Sequence, residues 1–180
     1  MYGLVNKAIR DLVVENFGTE KWSEICKLSD FPDEEFVAMS PYPDALTYTL
    51  VGNASRVLGA DASVLLEKFG EYWVLYTANE GYGELLSLSG NNMAEFLGNM
   101  DMLHNRISGI MPDLKPPKFR TRNQQDRSIE LEYYSHREGL TPMIFGLIRG
   151  LGKRFGQECT VEQIQERKNT EDCHVFRISW

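Results

Sequence analysis

Residues 128–137 read SIELEYYSHR, and they combine a strand pattern with a row of polar side chains. Apolar and polar residues alternate from Ile129 to Tyr133, which is the pattern of a β-strand with one buried face. If the strand continues, Ser135 and Arg137 lie on the same inward face as Tyr133. A buried guanidinium needs an anionic partner, and that face offers no acidic residue. The partner must come from elsewhere in the fold or from a ligand, unless the last residues of the strand emerge into solvent.

The length and charge of the chain limit the classes of protein to which it can belong. With 180 residues, of which 42% are apolar, it is long enough to bury the core of one domain. The net charge is −7 and no long basic run occurs, so a nucleic acid or an anionic membrane is a poor candidate partner. The amino-terminal residues follow an amphipathic helix pattern rather than that of an export signal, and no apolar run is long enough to span a bilayer. We therefore expect a cytoplasmic protein.

The predicted elements are helical at first and mixed afterwards. The spacing of apolar residues predicts a helix that ends at Gly18 and a short helix after Asp61 that Gly70 closes. A single helical stripe covers residues 93–111 and contains His104. The elements predicted after it are an extended piece near 118–122, a turn over 123–127, the strand 128–137, a helix that starts at Thr141-Pro142, and strands over 159–166 and 173–180.

His104 is the residue with the most specific chemistry. A histidine in an apolar helical stripe is most often a hydrogen-bonded core residue. The chain has only two other histidines, and its three cysteines include no C-x-x-C pair, so neither a multi-histidine metal site nor a zinc ribbon is indicated. A single histidine on a buried helix instead suits the iron of haem. Haem also carries two carboxylates at one edge of an apolar disc, the kind of anion that a Tyr/Ser/Arg row can hold.

These features resemble the H-NOX (haem nitric oxide/oxygen binding) domains, which are related to the haem domain of soluble guanylate cyclase. The resemblance covers essentially the whole chain and is carried by Met1-Tyr-Gly3, Leu103-His104 with Pro112 and Pro116-Pro117 after it, Tyr133-x-Ser135-x-Arg137, and Gly146-Leu-Ile-x-Gly150. Two further stretches look closest to standalone cyanobacterial-type members, namely Phe69-Gly-x-Tyr-Trp73 and Gly81-Tyr-Gly83.

The resemblance implies one domain over residues 1–180 with an α+β fold. In it, a helical distal subdomain of about residues 1–60 packs on a proximal subdomain of about residues 61–180, which holds a four-stranded antiparallel sheet and helices. The haem, of the b type, lies between them. His104 is then the axial ligand of the iron, and the propionates are held by Tyr133, Ser135 and Arg137. Val5 and Pro117 press on and distort the macrocycle, while the distal pocket is lined by Trp73, Pro142, Met143 and Leu147.

The resemblance also implies a ligand preference. Members that bind oxygen stably usually place a tyrosine at the position matched here by Pro142, and proline has no donor. Bound O2 takes on superoxide-like charge and gains from a hydrogen bond, whereas NO and CO depend on one far less. We expect binding of NO and CO, with O2 bound at most weakly. The indole N–H of Trp73 would change this if it points at the ligand rather than packing against the porphyrin.

The leading hypothesis is a gas sensor rather than an enzyme. NO would weaken the bond between iron and His104, and release of the His104 helix would signal to a separate protein, most plausibly a histidine kinase or a cyclic-dinucleotide enzyme. A haem enzyme such as a peroxidase needs acid and base groups in the distal pocket, which looks apolar here. A haem-free small-molecule domain of similar topology, such as the 4-vinyl reductase-like domains, is the third alternative. A visible spectrum of the purified protein separates it from the other two.

Overall fold

The architecture comes from a computed structural model, which describes residues 1–31, 36–169 and 171–180. The helices of the described residues are α1 (Gly3–Phe17), α2 (Thr19–Leu28), α3 (Asp44–Leu58), α4 (Ala62–Thr77), α5 (Gly83–Ser87), α6 (Met93–Gly98), α7 (Met100–Ile110) and α8 (Thr141–Arg154). A five-residue π-helical segment, Ala78–Tyr82, joins α4 to α5. The strands are β1 (Lys118–Gln125), β2 (Ser128–Tyr134), β3 (Thr160–Gln165) and β4 (His174–Ser179).

The four strands form one antiparallel sheet in the order β1-β2-β4-β3. The β2 strand alternates as its sequence predicts, with Ile129, Leu131 and Tyr133 buried. Its polar residues face the other side, where Glu130 pairs with Arg122 of β1 and Arg177 of β4. The sheet therefore has one apolar face toward the helices and one charged face, and the predicted α+β class with a four-stranded antiparallel sheet is confirmed.

The core of the described residues consists of two clusters of buried side chains. The first lies among α1–α4 and includes Leu4, Ile25, Leu50 and Phe69. The second joins the sheet to α6, α7 and α8, and its members include Phe96, Leu103, Phe119, Ile129, Ile148 and Phe176. Because α4 contributes to both clusters, it links the two parts of the chain. The division near residue 60 that the resemblance implies stays a prediction.

The α4 helix does not end at Gly70, as the sequence pattern predicted, but runs on to Thr77. Gly70 lies where α4 crosses α8, and a methyl group there would come 2.2 Å from the carbonyl oxygen of Met143. The facing residue is Gly146, whose methyl group would come 1.9 Å from the carbonyl oxygen of Glu67. The two glycines are therefore selected for the close approach of two backbones, and the helix-ending preference of glycine does not apply.

Two further boundaries differ from the prediction. The single helix expected over residues 93–111 is broken at Asn99, which has φ −101° and ψ 5°, and whose side-chain amide donates to the carbonyl oxygen of Ser89 at 3.0 Å. The strand expected to reach Arg137 ends at Tyr134. The apolar stripe and the alternation continue across both breaks, so side-chain periodicity gave no sign of either.

None of the helices in the described ranges has the length and hydropathy of a transmembrane span. Within those ranges, no cluster of three or more His, Cys, Asp or Glu side chains is arranged to hold a metal ion.

Candidate functional site

A cavity of about 300 Å³ is lined by side chains from both core clusters. Its walls are mostly apolar and come from α1, α3 to α8 and the first two strands. The polar side chains that line it include His104 on α7 and the three residues of the motif at the end of β2, which are Tyr133, Ser135 and Arg137. The fold thus brings together in one cavity the histidine and the motif that the sequence singled out.

His104 supplies the half-buried imidazole of this cavity. Its Nδ1 atom is buried and has no hydrogen-bond partner among the described residues. Burial lowers the pKa of His104, while the Asp101 carboxylate and the Pro117 carbonyl oppose that shift. The neutral imidazole, which is the form that binds metals, is therefore favoured.

Side chains at both ends of α7 fix the position of His104. At the start of α7, the Asp101 carboxylate accepts a hydrogen bond of 2.7 Å from the backbone N–H of Phe119. The Phe119 ring stacks on His104, with ring centroids 5.7 Å apart. After the helix, the backbone N–H of Asp113 donates to the Tyr2 hydroxyl at 3.1 Å. Pro117, on the connection to β1, also lines the cavity.

Tyr133 and Ser135 lie on either side of the point where β2 ends. Tyr133 is buried, and its ring follows Phe119 in the aromatic stack with centroids 5.4 Å apart. Burial raises the pKa of Tyr133, which keeps the phenol protonated and able to donate, although the Ser135 hydroxyl and the Arg137 charge act in the opposite direction. The Ser135 hydroxyl accepts a hydrogen bond of 3.1 Å from the backbone N–H of Arg137, so the motif turns here instead of continuing as a strand.

Arg137 points inward as predicted, and its side chain is only 13% exposed. Its Nε and Nη2 atoms donate to the two carboxylate oxygens of Asp44 at 2.8 and 3.3 Å, and Nη1 donates to the carbonyl oxygen of Lys115 at 2.7 Å. Burial opposes ionisation of Asp44, but the hydrogen bonds and charges of Arg137 and the Met1 amino group outweigh it and lower the pKa of Asp44 to about 2. The anionic partner required by the sequence argument is thus Asp44 of α3.

Nothing in the sequence pointed to Asp44 as that partner. It follows Pro43 at the first turn of α3, where an acidic residue is common because it favours the positive end of the helix dipole. Asp44 and Arg137 are 93 residues apart in the chain. A single sequence carries no signal for a contact of that kind.

The remaining wall of the cavity comes from α1, α4 and α8. Val5, Trp73, Met143 and Leu147 line it. Pro142 does not, which corrects the prediction for that residue. Successive residues on a helix are turned by about 100°, so the face that carries Met143 and Leu147 turns Pro142 away. Leu140, just before α8, lines the cavity as well.

The chemistry of this cavity suits one kind of ligand. Apolar walls accept an apolar group, and a neutral imidazole can bind a metal that this group carries. The phenol, hydroxyl and guanidinium of the motif supply donors for acidic groups on its edge.

The fold recurs in solved structures. An H-NOX protein from S. oneidensis in the Fe(II)NO ligation state superposes with a TM-score of 0.88 at 18% identity, covering 99% of this chain and 98% of that one. A mutant H-NOX protein from K. algicida in the unliganded Fe(II) state superposes with a TM-score of 0.82 at 23% identity, covering 99% of this chain and 96% of that one. At these identities the likeness establishes the fold.

Sequence similarity extends to curated proteins. Soluble guanylate cyclase gcy-35 of Caenorhabditis elegans is 31% identical over 171 residues, which is 93% of this chain and 25% of that protein. Soluble guanylate cyclase 89Db of Drosophila melanogaster is 24% identical over 155 residues, which is 86% of this chain and 23% of that protein. The chain therefore spans about a quarter of the length of these relatives. A sequence profile of the haem-NO-binding family matches residues 2–163, and the chain belongs to that family, the H-NOX domains.

Proposed function

We propose that this chain is a gas-sensor domain that holds a b-type haem in the cavity between its two core clusters. The observation that carries the proposal is that the His104 imidazole lines an apolar cavity together with Tyr133, Ser135 and Arg137. A neutral imidazole that faces an apolar cavity can bind a metal there.

His104 would hold the iron, and the motif would hold the acidic groups. Arg137 already has its guanidinium in the cavity, and its planar fork matches the geometry of a carboxylate. The protonated Tyr133 phenol and the Ser135 hydroxyl add one donor each. Asp44 would then keep Arg137 oriented rather than compete for it, because a guanidinium has five N–H donors.

The residues near the ligand side of the cavity support a preference for NO and CO. The bound haem supplies the ferrous iron at which such gases bind. Met143 and Leu147 carry no hydrogen-bond donor, and the Thr77 hydroxyl is engaged with the carbonyl oxygen of Trp73 at 2.7 Å. The absence of a hydrogen-bond donor for bound O2, first inferred from Pro142, is therefore inferred from Met143 instead. The indole of Trp73 is the remaining donor on α4 that lines the cavity.

The α7 helix is the element that we propose carries the signal. His104 anchors it to the cavity, while Met102 and Ile110 are exposed on its surface. Loss of the His104 anchor would leave α7 held by Asp101 and its packing on β1, so its position would change. The recipient would be a separate cytoplasmic protein, such as a histidine kinase or a cyclic-dinucleotide enzyme. Fusion to a cyclase, as in the matched relatives, is the other arrangement.

The test is the visible spectrum of the purified ferrous protein, recorded without a ligand, with NO, with CO and in air. We expect haem bands that change with NO and CO, and no long-lived oxy spectrum. A protein that takes up no haem would refute the proposal. A stable oxy spectrum would refute the ligand preference alone, and Trp73→Phe would then show whether the indole is the donor.

His104→Gly tests the axial ligand directly. Glycine removes the imidazole and leaves room for free imidazole, so haem uptake should fall and should recover when imidazole is added. Asn105→Gly is the matched control, because Asn105 is exposed on the same helix and its replacement has the same cost of a glycine in α7. An unchanged ferrous spectrum in His104→Gly would contradict the assignment.

A further inference from the structure

The polar motif lies mostly outside the sheet that leads to it. β2 ends at Tyr134, and its pairing with β4 ends one residue earlier, at Tyr133 opposite His174. Residues 135–137 therefore have no strand neighbour to bond their backbone. Buried and half-buried backbone groups in such a segment depend on side chains for their hydrogen bonds.

Arg167 supplies that bond. It lies two residues beyond the end of β3, and its side chain is 12% exposed. Its Nη1 atom donates to the carbonyl oxygen of Ser135. Its Nη2 atom lies 3.4 Å from a carboxylate oxygen of Glu138. Since the Glu138 side chain is 84% exposed, that ion pair contributes little, and the bond to the Ser135 backbone is the important one.

A second link runs from Arg167 through the sheet to Tyr133. The backbone N–H of Arg167 donates to His174 Nδ1 at 3.4 Å, and the Gln163 amide shares the same nitrogen at 3.1 Å. The His174 ring stacks on Tyr133, with centroids 6.1 Å apart and planes at 27°. Burial lowers the pKa of His174, and Arg167 lowers it further, so the ring stays neutral and accepts at Nδ1. Arg167 is thus connected to Ser135 through its side chain, and to Tyr133 through its backbone N–H and the His174 ring.

We propose that Arg167 is the positioning residue of the Tyr133-x-Ser135-x-Arg137 motif. It holds the chain where it leaves the sheet, so that the phenol, hydroxyl and guanidinium are set for the acidic groups of the ligand before it binds. The inference rests on the proposed function for the identity of that ligand. Its structural part, the fixing of residues 135–137, does not depend on it.

An arginine suits this role better than a lysine. Its planar guanidinium holds its N–H donors in fixed directions toward the Ser135 carbonyl, whereas an ammonium is a single point charge on a flexible stem. Arg167→Lys should therefore rescue the motif only in part. Arg122 offers a matched control, because its guanidinium is 45% exposed and bonds Glu130 and Glu132 on the charged face of the same sheet.

The first experiment needs no haem. We expect amide hydrogen exchange of residues 135–140 in the purified protein to be several-fold faster in Arg167→Gln than in the wild type. Exchange within β2 should stay the same, and Arg122→Gln should leave both segments unchanged. Equal exchange of residues 135–140 in Arg167→Gln and the wild type would overturn the proposal, as would the same acceleration in Arg122→Gln.

The second experiment measures haem transfer to apomyoglobin. Arg167→Gln should lose haem roughly three- to tenfold faster, which is part of the effect of one charge-assisted hydrogen bond. In the Arg137→Ala variant, adding Arg167→Gln should accelerate haem loss by less than half as much as it does in the wild type. The reason is that both substitutions act through one motif. Fully additive effects would refute action through Arg137. A wild-type protein without haem would refute the proposed function, while the exchange experiment would still decide the role of Arg167.

Discussion

Gly146→Ala tests whether the contact between α4 and α8 is as close as the structure requires. The new methyl group would lie 1.9 Å from the carbonyl oxygen of Glu67, and real contacts of this kind are not shorter than 3.0 Å. The helices must therefore separate by about 1.1 Å at this point. The obstacle is backbone on both sides, so no side chain can rotate away.

The size of the effect follows from two opposing contributions. Overpacking of this kind costs about 1–3 kcal/mol. Replacing a glycine in a helix by alanine returns about 0.5–1 kcal/mol. We place the overpacking cost at the upper end because backbone must move, so Gly146→Ala should lower the free energy of unfolding by about 2 kcal/mol. For a chain of this length, that corresponds to a decrease in Tm of roughly 4–8 °C.

Gly52→Ala is the matched control, since Gly52 lies within α3 and a methyl group there meets no atom within 4 Å. It should raise the free energy of unfolding by about 0.5–1 kcal/mol. Urea unfolding of the three proteins, followed by circular dichroism, measures both changes. The close approach of α4 and α8 would be refuted if Gly146→Ala were as stable as Gly52→Ala.

Three further predictions concern the site. Arg137→Ala should speed haem transfer to apomyoglobin more than Ser135→Ala does, because a charge-assisted bond is worth about 1.5–3 kcal/mol against about 1 for a neutral one; equal rates for both variants and the wild type would contradict the motif's role. Pro117→Ala should give a flatter haem, since it removes a rigid ring that lines the cavity, and a crystal structure with unchanged distortion would count against it. Asp44→Asn should destabilise the protein by about 1 kcal/mol at neutral pH, after discounting for an exposed third of the side chain. Because the pKa of Asp44 is lowered to about 2 in the folded state, that difference should be constant above about pH 4 and vanish as the pH falls toward 2, and urea unfolding at several pH values would show any other dependence.

The sheet was predictable because the alternation of apolar and polar residues along its strands matches the face that the fold buries. The alternation from Ile129 to Tyr133 reports which face is buried, and the structure buries those side chains. The α7 stripe is similar, since the period that hides Leu103 also turns His104 toward the cavity. In both elements a single periodicity determines which side chains face inward.

Other features depend on partners that are distant in sequence. Gly70 reads as a helix end, and only the presence of Met143 across the contact shows why the helix needs a glycine in its interior. Asp44 reads as an ordinary first-turn residue until Arg137 is placed beside it. Such contacts join two elements that are distant in the chain, so the sequence of one element alone does not show which residue it will meet.

The position of the ligand-facing residue on α8 shows how a small error in helical phase changes a functional argument. The resemblance matched Pro142 to the ligand-facing position, whereas the helix that starts at Thr141 turns Met143 and Leu147 inward instead. The conclusion survives, because neither of those side chains donates a hydrogen bond. The decisive substitution is nonetheless a different one: a phenol that reaches the bound gas must replace Met143, while Pro142→Tyr would put it on a face away from the cavity. Met143→Tyr should therefore prolong the life of the oxy spectrum in air and Pro142→Tyr should not, and the opposite ranking would show that Pro142, rather than Met143, faces the ligand.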